Sequence, residues 1–127
     1  MAISQKKSNR KITGGRYKNA FSKKKANNGN TPSLTRVDSE KVQTKRVLGG
    51  NLKSRLLSAQ KVNVADPKKK TVSVDEIVSV EENDANRNYI RRNIVTKGAV
   101  VTLKSGKKAK ISSRPGQTKV LSAVLVE

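Results

Sequence analysis

The first carboxylate in this chain is Asp38, and the residues before it carry ten Lys or Arg with no acid among them. This asymmetry limits what the opening segment can fold into. SQKKSNRKITGGRYKNAFSKKKANNGNTP has few apolar residues and little periodicity. It cannot bury enough surface to offset the ~1–2 kcal/mol per residue cost of ordering a backbone. Residues 1–32 therefore read as a basic arm, disordered in isolation and ordered against a partner. Asn27-Asn28-Gly29-Asn30 and Pro32 close it as a flexible boundary.

Across all 127 residues, 29 Lys and Arg face 9 Asp and Glu, a formal charge of +20. Such an excess opposes compactness by self-repulsion and points to a polyanionic partner. Nucleic acid leads and an anionic membrane surface is second, because no apolar run approaches the roughly 20 residues of a spanning helix. The N-terminus lacks the apolar stretch of a signal peptide, so an intracellular chain is expected. There is no Cys and no His, which excludes zinc fingers, thiol nucleophiles and imidazole acid–base chemistry. One Phe, two Tyr and no Trp argue against a surface of several stacking platforms. Phosphate binding by Lys, Arg and backbone amides remains, with readout of shape.

From Ser33 to Glu127 the period is that of strands. Val37, Val42 and Val47 punctuate Thr35 to Leu48, and Gly49-Gly50-Asn51 signals a turn. LKSRLLSAQKVNV (residues 52–64) fits strand or helix, stopped by Asp66-Pro67. Val72, Val74, Ile77, Val78 and Val80 mark the next strand after Lys68 to Lys70. One short helix is predicted over Asn83 to Asn93, with Asn83 or Asp84 as N-cap and Arg87 and Arg91 on one exposed face. Ile94 to Leu103 and Ala109 to Ser112 flank a hairpin tip at Lys104-Ser105-Gly106-Lys107. Arg114-Pro115-Gly116-Gln117 suits a type II turn, and VLSAVLV (residues 120–126), the most apolar segment, reads as the central strand. These elements predict a mainly β fold, a small antiparallel barrel or sandwich with one short helix beside the N-terminal arm.

ISQKKSNRKITGGR (residues 3–16), GGNLKSR (49–55), NDANRNYIRRNIVTKGAVV (83–101) and SSRPGQTKVLSAVLVE (112–127) resemble the eight-e family of small-subunit ribosomal proteins. The similarity runs from the third residue to the last, and the short length is similar to archaeal members. It implies a β-barrel-like domain and an extended basic arm, both on small-subunit ribosomal RNA, with neighbouring small-subunit proteins as further partners in the cytoplasmic ribosome. One departure is Thr118-Lys119, where many members have an acidic residue and glycine.

Arg87, Arg91 and Arg92 head the candidate RNA-binding residues, because guanidinium binds phosphate bidentately. Their rival reading is ion pairing with Asp75, Glu76, Glu81, Glu82 and Asp84. Lys97-Gly98 reads equally as a bulge requiring Gly and as a close approach for phosphate. In the arm, Thr13-Gly14-Gly15-Arg16 could cradle a phosphate on backbone amides; it lacks the spacing of a nucleotide-binding loop. Lys6, Lys7, Arg10, Lys11, Lys18, Lys23, Lys24 and Lys25 are further phosphate contacts. Tyr17 is a better stacking candidate than Tyr89. Arg36, Lys45, Arg46, Lys53, Arg55 and Arg114 complete the set, the glycines beside Lys53 being equally explained by a plain hairpin. No catalytic constellation stands out, and the clustered carboxylates read as ion-pair partners before Mg²⁺ ligands. Neither an enzyme, a cofactor, a metal nor a small-molecule substrate is expected. Two rival roles are a biogenesis factor on precursor RNA and a DNA-compacting chromatin protein.

Overall fold

The computed structural model describes residues 3–18, 21–22 and 24–126; Lys23 lies outside them. The chain divides into two compact units, Met1–Pro32 and Ser33–Glu127.

None of the described residues up to Pro32 is buried, and even Ile12 and Phe21 stand open to solvent. Order in this unit comes from backbone pairing. Gly29 donates to Ile3 O at 2.7 Å and Gln5 to Asn27 O at 2.8 Å, around an antiparallel bridge between Ser4 and Asn28. A second bridge sets Arg10 opposite Arg16.

The second unit holds β1 (Lys41–Arg46), β2 (Leu52–Ser58), β3 (Lys61–Asp66), β4 (Thr71–Glu82), α1 (Asn88–Arg91), β5 (Val100–Leu103), β6 (Lys108–Ile111) and β7 (Leu121–Val126). β1 and β2 form a separate two-stranded ribbon, while β3 to β7 close a five-stranded barrel. Seams between successive barrel strands are antiparallel, and the closing seam of β3 with β7 is parallel. Strand alternation explains the interior. Val62 and Val64, Val101 and Leu103, Ala109 and Ile111, and Leu121 and Ala123 all point inward and are buried, joined by Ile77 and Val80 of β4. Five strands enclose a narrow space, so alanines alternate with larger side chains across the barrel. The long β4 serves two neighbours: Thr71 to Glu76 pair with β3, and Ile77 to Glu82 pair with β5. Register shifts at Ile77/Ser79 and Val80/Glu82 bend it around the barrel.

Several elements differ in extent from the sequence expectation. Residues 52–64 are strand throughout except Ala59-Gln60, which separates β2 from β3. The helix shrinks to Asn88–Arg91 because Asn83 is not its cap. Buried Asn83 donates Nδ2 to Ile94 O at 3.2 Å, and its Oδ1 accepts from Ala85 N and Thr96 Oγ1. Asn86 then uses its own Oδ1 on Asn88 N at 2.9 Å, so side chains take the donors that a longer helix would need. The strand expected from Ile94 starts only at Val100, since Asn93 (φ 48°) and Gly98 (φ 89°) break the extended run. The Arg114–Gln117 turn forms, with Gln117 N–H on Arg114 O at 2.9 Å. Gly116 does not have positive φ, so the turn is not type II. Its Pro115 is buried and accepts Leu56 N–H at 2.9 Å.

Candidate nucleic-acid interface

Strand direction decides where the arginines sit. β3, β5 and β7 begin, and β4 and β6 end, at the same mouth of the barrel. Every connection leaving that mouth carries candidate residues: Arg87, Arg91, Arg92 and Lys97 lie between β4 and β5, and Arg114 lies between β6 and β7.

A short segment stitches this mouth to the β1–β2 ribbon. Arg36 N–H donates to Leu57 O at 3.2 Å, Arg36 O accepts from Ala59 at 3.0 Å, and Val37 N–H reaches Asn93 O at 3.1 Å. Val95 N–H meets Thr35 O at 2.8 Å, and the buried Thr35 hydroxyl donates to Leu56 O at 2.7 Å. Arg36 is thus bridged on one side to Ser58, at the end of β2, and on the other to Ile94, just past the Arg-Arg-Asn block. Ile94 and Val95 are almost wholly buried, so the exposed Arg91 and Arg92 project from anchored backbone.

The arginines do not take the carboxylate partners that their sequence neighbourhood offers. Glu76 pairs with Lys104 at 3.1 Å and Glu81 with Lys108 at 2.7 Å. Ser105 Oγ donates to Asp75 at 2.6 Å; that bond and the Glu76 amide hold the Asp75 carboxyl below its usual range. Lys108 first and the Thr102 hydroxyl second do the same for Glu81, and Glu81 in turn raises Lys108. Among the described residues, Arg87, Arg91 and Arg92 have no carboxylate partner. Arg87 precedes α1 in helical backbone (φ −53°, ψ −35°) and Arg91 ends the helix.

In the ribbon, register places Lys45 opposite Lys53 and Gln43 opposite Arg55, so these four share one face. Arg55 Nε donates to Gln43 Oε1 at 2.8 Å. Like charges directly opposite are destabilising, and no acid interrupts this face. Arg46 sits on the other face, opposite Leu52. The Gly49-Gly50 turn needs its glycines, since both have φ near +76°. Gly98 also needs positive φ, and a side chain there would meet open space. Both readings of Lys97-Gly98 therefore stay compatible with its geometry.

In the first unit, Arg10 and Arg16 with Asn9 and Tyr17 line a hollow of about 270 Å³. Lys11 Nζ lies 5.5 Å from the half-exposed Tyr17 ring, and Lys24 Nζ lies 5.4 Å from Phe21. Gly14 N–H closes a turn on Lys11 O at 3.0 Å, and Gly15 O accepts from Lys11 at 2.8 Å. Of the amides expected to form a cradle, that of Gly14 is committed to the turn, and the Gly14 carbonyl accepts from Arg10 at 3.1 Å. Thr13 and Arg16 are exposed, as are Lys7, Lys18 and Lys25, while Lys6 Nζ reaches Ser22 O at 3.4 Å. Thr35 and Asn93, which shape the arginine mouth, escaped sequence reasoning, and Asn83 was read only as a helix cap; a polar residue, buried like Thr35 and Asn83 or exposed like Asn93, leaves no periodic signal.

The profile of the family described as "Ribosomal protein S8e" matches residues 4–126. The chain is 50% identical to the small ribosomal subunit protein eS8 of Methanocorpusculum labreanum over 97% of its length and 98% of the relative's. It is 47% identical to the eS8 of Methanobrevibacter smithii, over 99% of the chain and all of the relative. The eS8 of Sulfolobus acidocaldarius is 42% identical, over 99% of the chain and 98% of the relative. Sequence matches of this length settle the kinship: the chain belongs to the ribosomal protein S8e family.

Proposed function

We propose that this protein is a structural constituent of the small ribosomal subunit in the cytoplasm, and that it binds and stabilises small-subunit ribosomal RNA. The observation that carries the reading is the barrel mouth, where Arg87, Arg91 and Arg92 stand on a buried support and, among the described residues, lack carboxylate partners. Guanidinium groups held this way suit fixed phosphates. The absence of several aromatic platforms favours recognition by shape and backbone over readout of base edges. Other small-subunit proteins are the expected neighbours.

Residues 1–32 act as an arm that orders on the RNA. None of its described residues is buried, and their internal hydrogen bonds contribute about 0.5–1.5 kcal/mol each, too little to offset the chain entropy of such a segment. Folding and binding are then coupled, and counterions released from the RNA supply much of the driving force.

The test is binding to purified small-subunit RNA as a function of salt. Contact with about 6–10 phosphates gives a log–log slope of roughly −4 to −9; a nearly flat dependence refutes the reading. Equal affinity for duplex DNA would point to a chromatin protein instead. Co-sedimentation with precursor particles alone would point to a biogenesis factor.

A further inference from the structure

The barrel mouth opposite the arginines carries a second basic rim. β3 and β4 join there through Pro67-Lys68-Lys69-Lys70, and β5 and β6 join through Lys104 to Lys107. The two tips converge on one hollow of about 450 Å³, lined by Asp66, Pro67, Lys68, Lys107, Lys108, Leu125 and Val126. Its floor is aliphatic, with Val126 43% exposed, and its rim is cationic.

The lysine turn is built rather than loose. Asp66 Oδ1 accepts the amides of Lys68 at 3.0 Å and Lys69 at 3.2 Å, so the one carboxylate in the turn is engaged in shaping it. Lys70 sits at φ 52°, where a non-glycine residue costs roughly 1–2 kcal/mol. Such strain persists where the surroundings over-determine it, and it clusters at functional positions. Among the described residues, Lys69, Lys70 and Lys107 have no carboxylate partner, whereas Lys104 and Lys108 do.

Distance makes the two rims independent. β4 runs from Thr71 to Glu82, with Lys70 immediately before it and the arginine connection immediately after. Because β4 bends around the barrel, the shorter strands set the separation of the two mouths: β5 crosses in 4 residues and β3 in 6, roughly 13–20 Å at about 3.3 Å each, beyond the ~8 Å screening length at physiological salt. The lysines are therefore no extension of the arginine surface.

We propose that the barrel is a two-ended spacer between RNA segments: the arginine mouth docks on one, and the lysine hollow takes the backbone of a second. An unpaired nucleotide fits the hollow best, its phosphate against Lys107 at the lysine rim and its base over Pro67, Leu125 and Val126. This rests on the RNA-binding reading above.

The test uses the full-length protein, biotinylated oligouridine on beads, and a labelled small-subunit RNA fragment. The wild type should hold both RNAs at once. K69E/K70E/K107E should lose this bridging and bind oligouridine with a salt slope shallower by about 2, at roughly 0.7 per lost contact. It should still bind the fragment. K69Q/K70Q/K107Q should show the same loss more weakly, and the unfolding midpoints of both variants should match wild type, which separates lost contact from lost fold. Bridging by K69E/K70E/K107E at the wild-type level overturns the proposal, as does occupation of the hollow by polyglutamate in preference to RNA. If R91E/R92E also binds both RNAs unchanged, the RNA-binding reading itself falls.

Discussion

Replacing Arg91 and Arg92 by alanine removes two exposed guanidinium groups from a mouth whose backbone is held by Ile94, Val95 and the Thr35–Val37 segment. Neither group contributes an ion pair within the described fold, so the isolated protein should barely notice. Exposed substitutions away from such features stay within about 0.5 kcal/mol, a shift of less than ~4 °C in Tm for a domain of this size. RNA binding should respond quite differently. Two lost phosphate contacts flatten the salt slope by about 1.4–1.8. Charge-assisted hydrogen bonds at the exposed end of their range cost about 2–3 kcal/mol together, roughly 30- to 150-fold in Kd. Arg91→Lys with Arg92→Lys should keep the slope but recover only part of the affinity, because ammonium lacks the planar fork. Fluorescence anisotropy on a small-subunit RNA fragment across a salt series, beside thermal unfolding of free protein, measures both quantities. A slope equal to wild type would refute the reasoning. So would a Tm lowered by ten degrees or more, on the order of 2 kcal/mol, because the arginines would then be structural.

Three further perturbations follow from the same geometry. Gly98→Ala meets no neighbour within 4 Å yet forces alanine to φ near 89°; it should cost about 1–2 kcal/mol by chemical denaturation, with Gly98→Asn milder. Folded-state pKa values of Asp75 and Glu81 lie below their unfolded values. The stability they contribute is therefore present above the unfolded carboxylate range and lost as pH falls through the folded values; urea midpoints should drop on acidification, and less so in Ser105→Ala. Lys108, whose pKa is raised, works in the opposite sense, its contribution fading only as pH climbs through its folded value. Deleting residues 1–30 should leave cooperative unfolding intact while weakening RNA binding, as read by calorimetry and anisotropy; loss of cooperativity would show that the boundary near Pro32 is misplaced.

The strands were legible because alternation of Val, Ile and Leu with polar residues is a local signal, and the Lys104–Lys107 tip carried its own turn chemistry. Pairing was not. Closure of β7 on β3 in parallel joins residues far apart in sequence, and separation of β1–β2 as its own ribbon depends on where β3 leaves β2. The helix was overread because Asn83 looks like a cap in sequence but spends its side chain on the Ala85 amide, the Thr96 hydroxyl and the Ile94 carbonyl. The arginines could be picked out by local excess of charge alone. Which acids would ignore them could not, since Glu76 and Glu81 reach Lys104 and Lys108 only through the β4–β5–β6 register. The lysine rim was overlooked for a related reason: Lys68 to Lys70 and Lys107 become neighbours only when the barrel closes.

The parallel seam has a kinetic side. Val62 meets Leu121, and contacts this remote in the chain carry a large loop-closure entropy before they return any stability. Docking of β7 should therefore be the late, rate-limiting event of folding. Until it happens, β3 and β6 each present a bare edge able to pair with another molecule. A newly made copy is most prone to self-association in that interval, and an early encounter with a polyanion that separates copies would shorten its exposure.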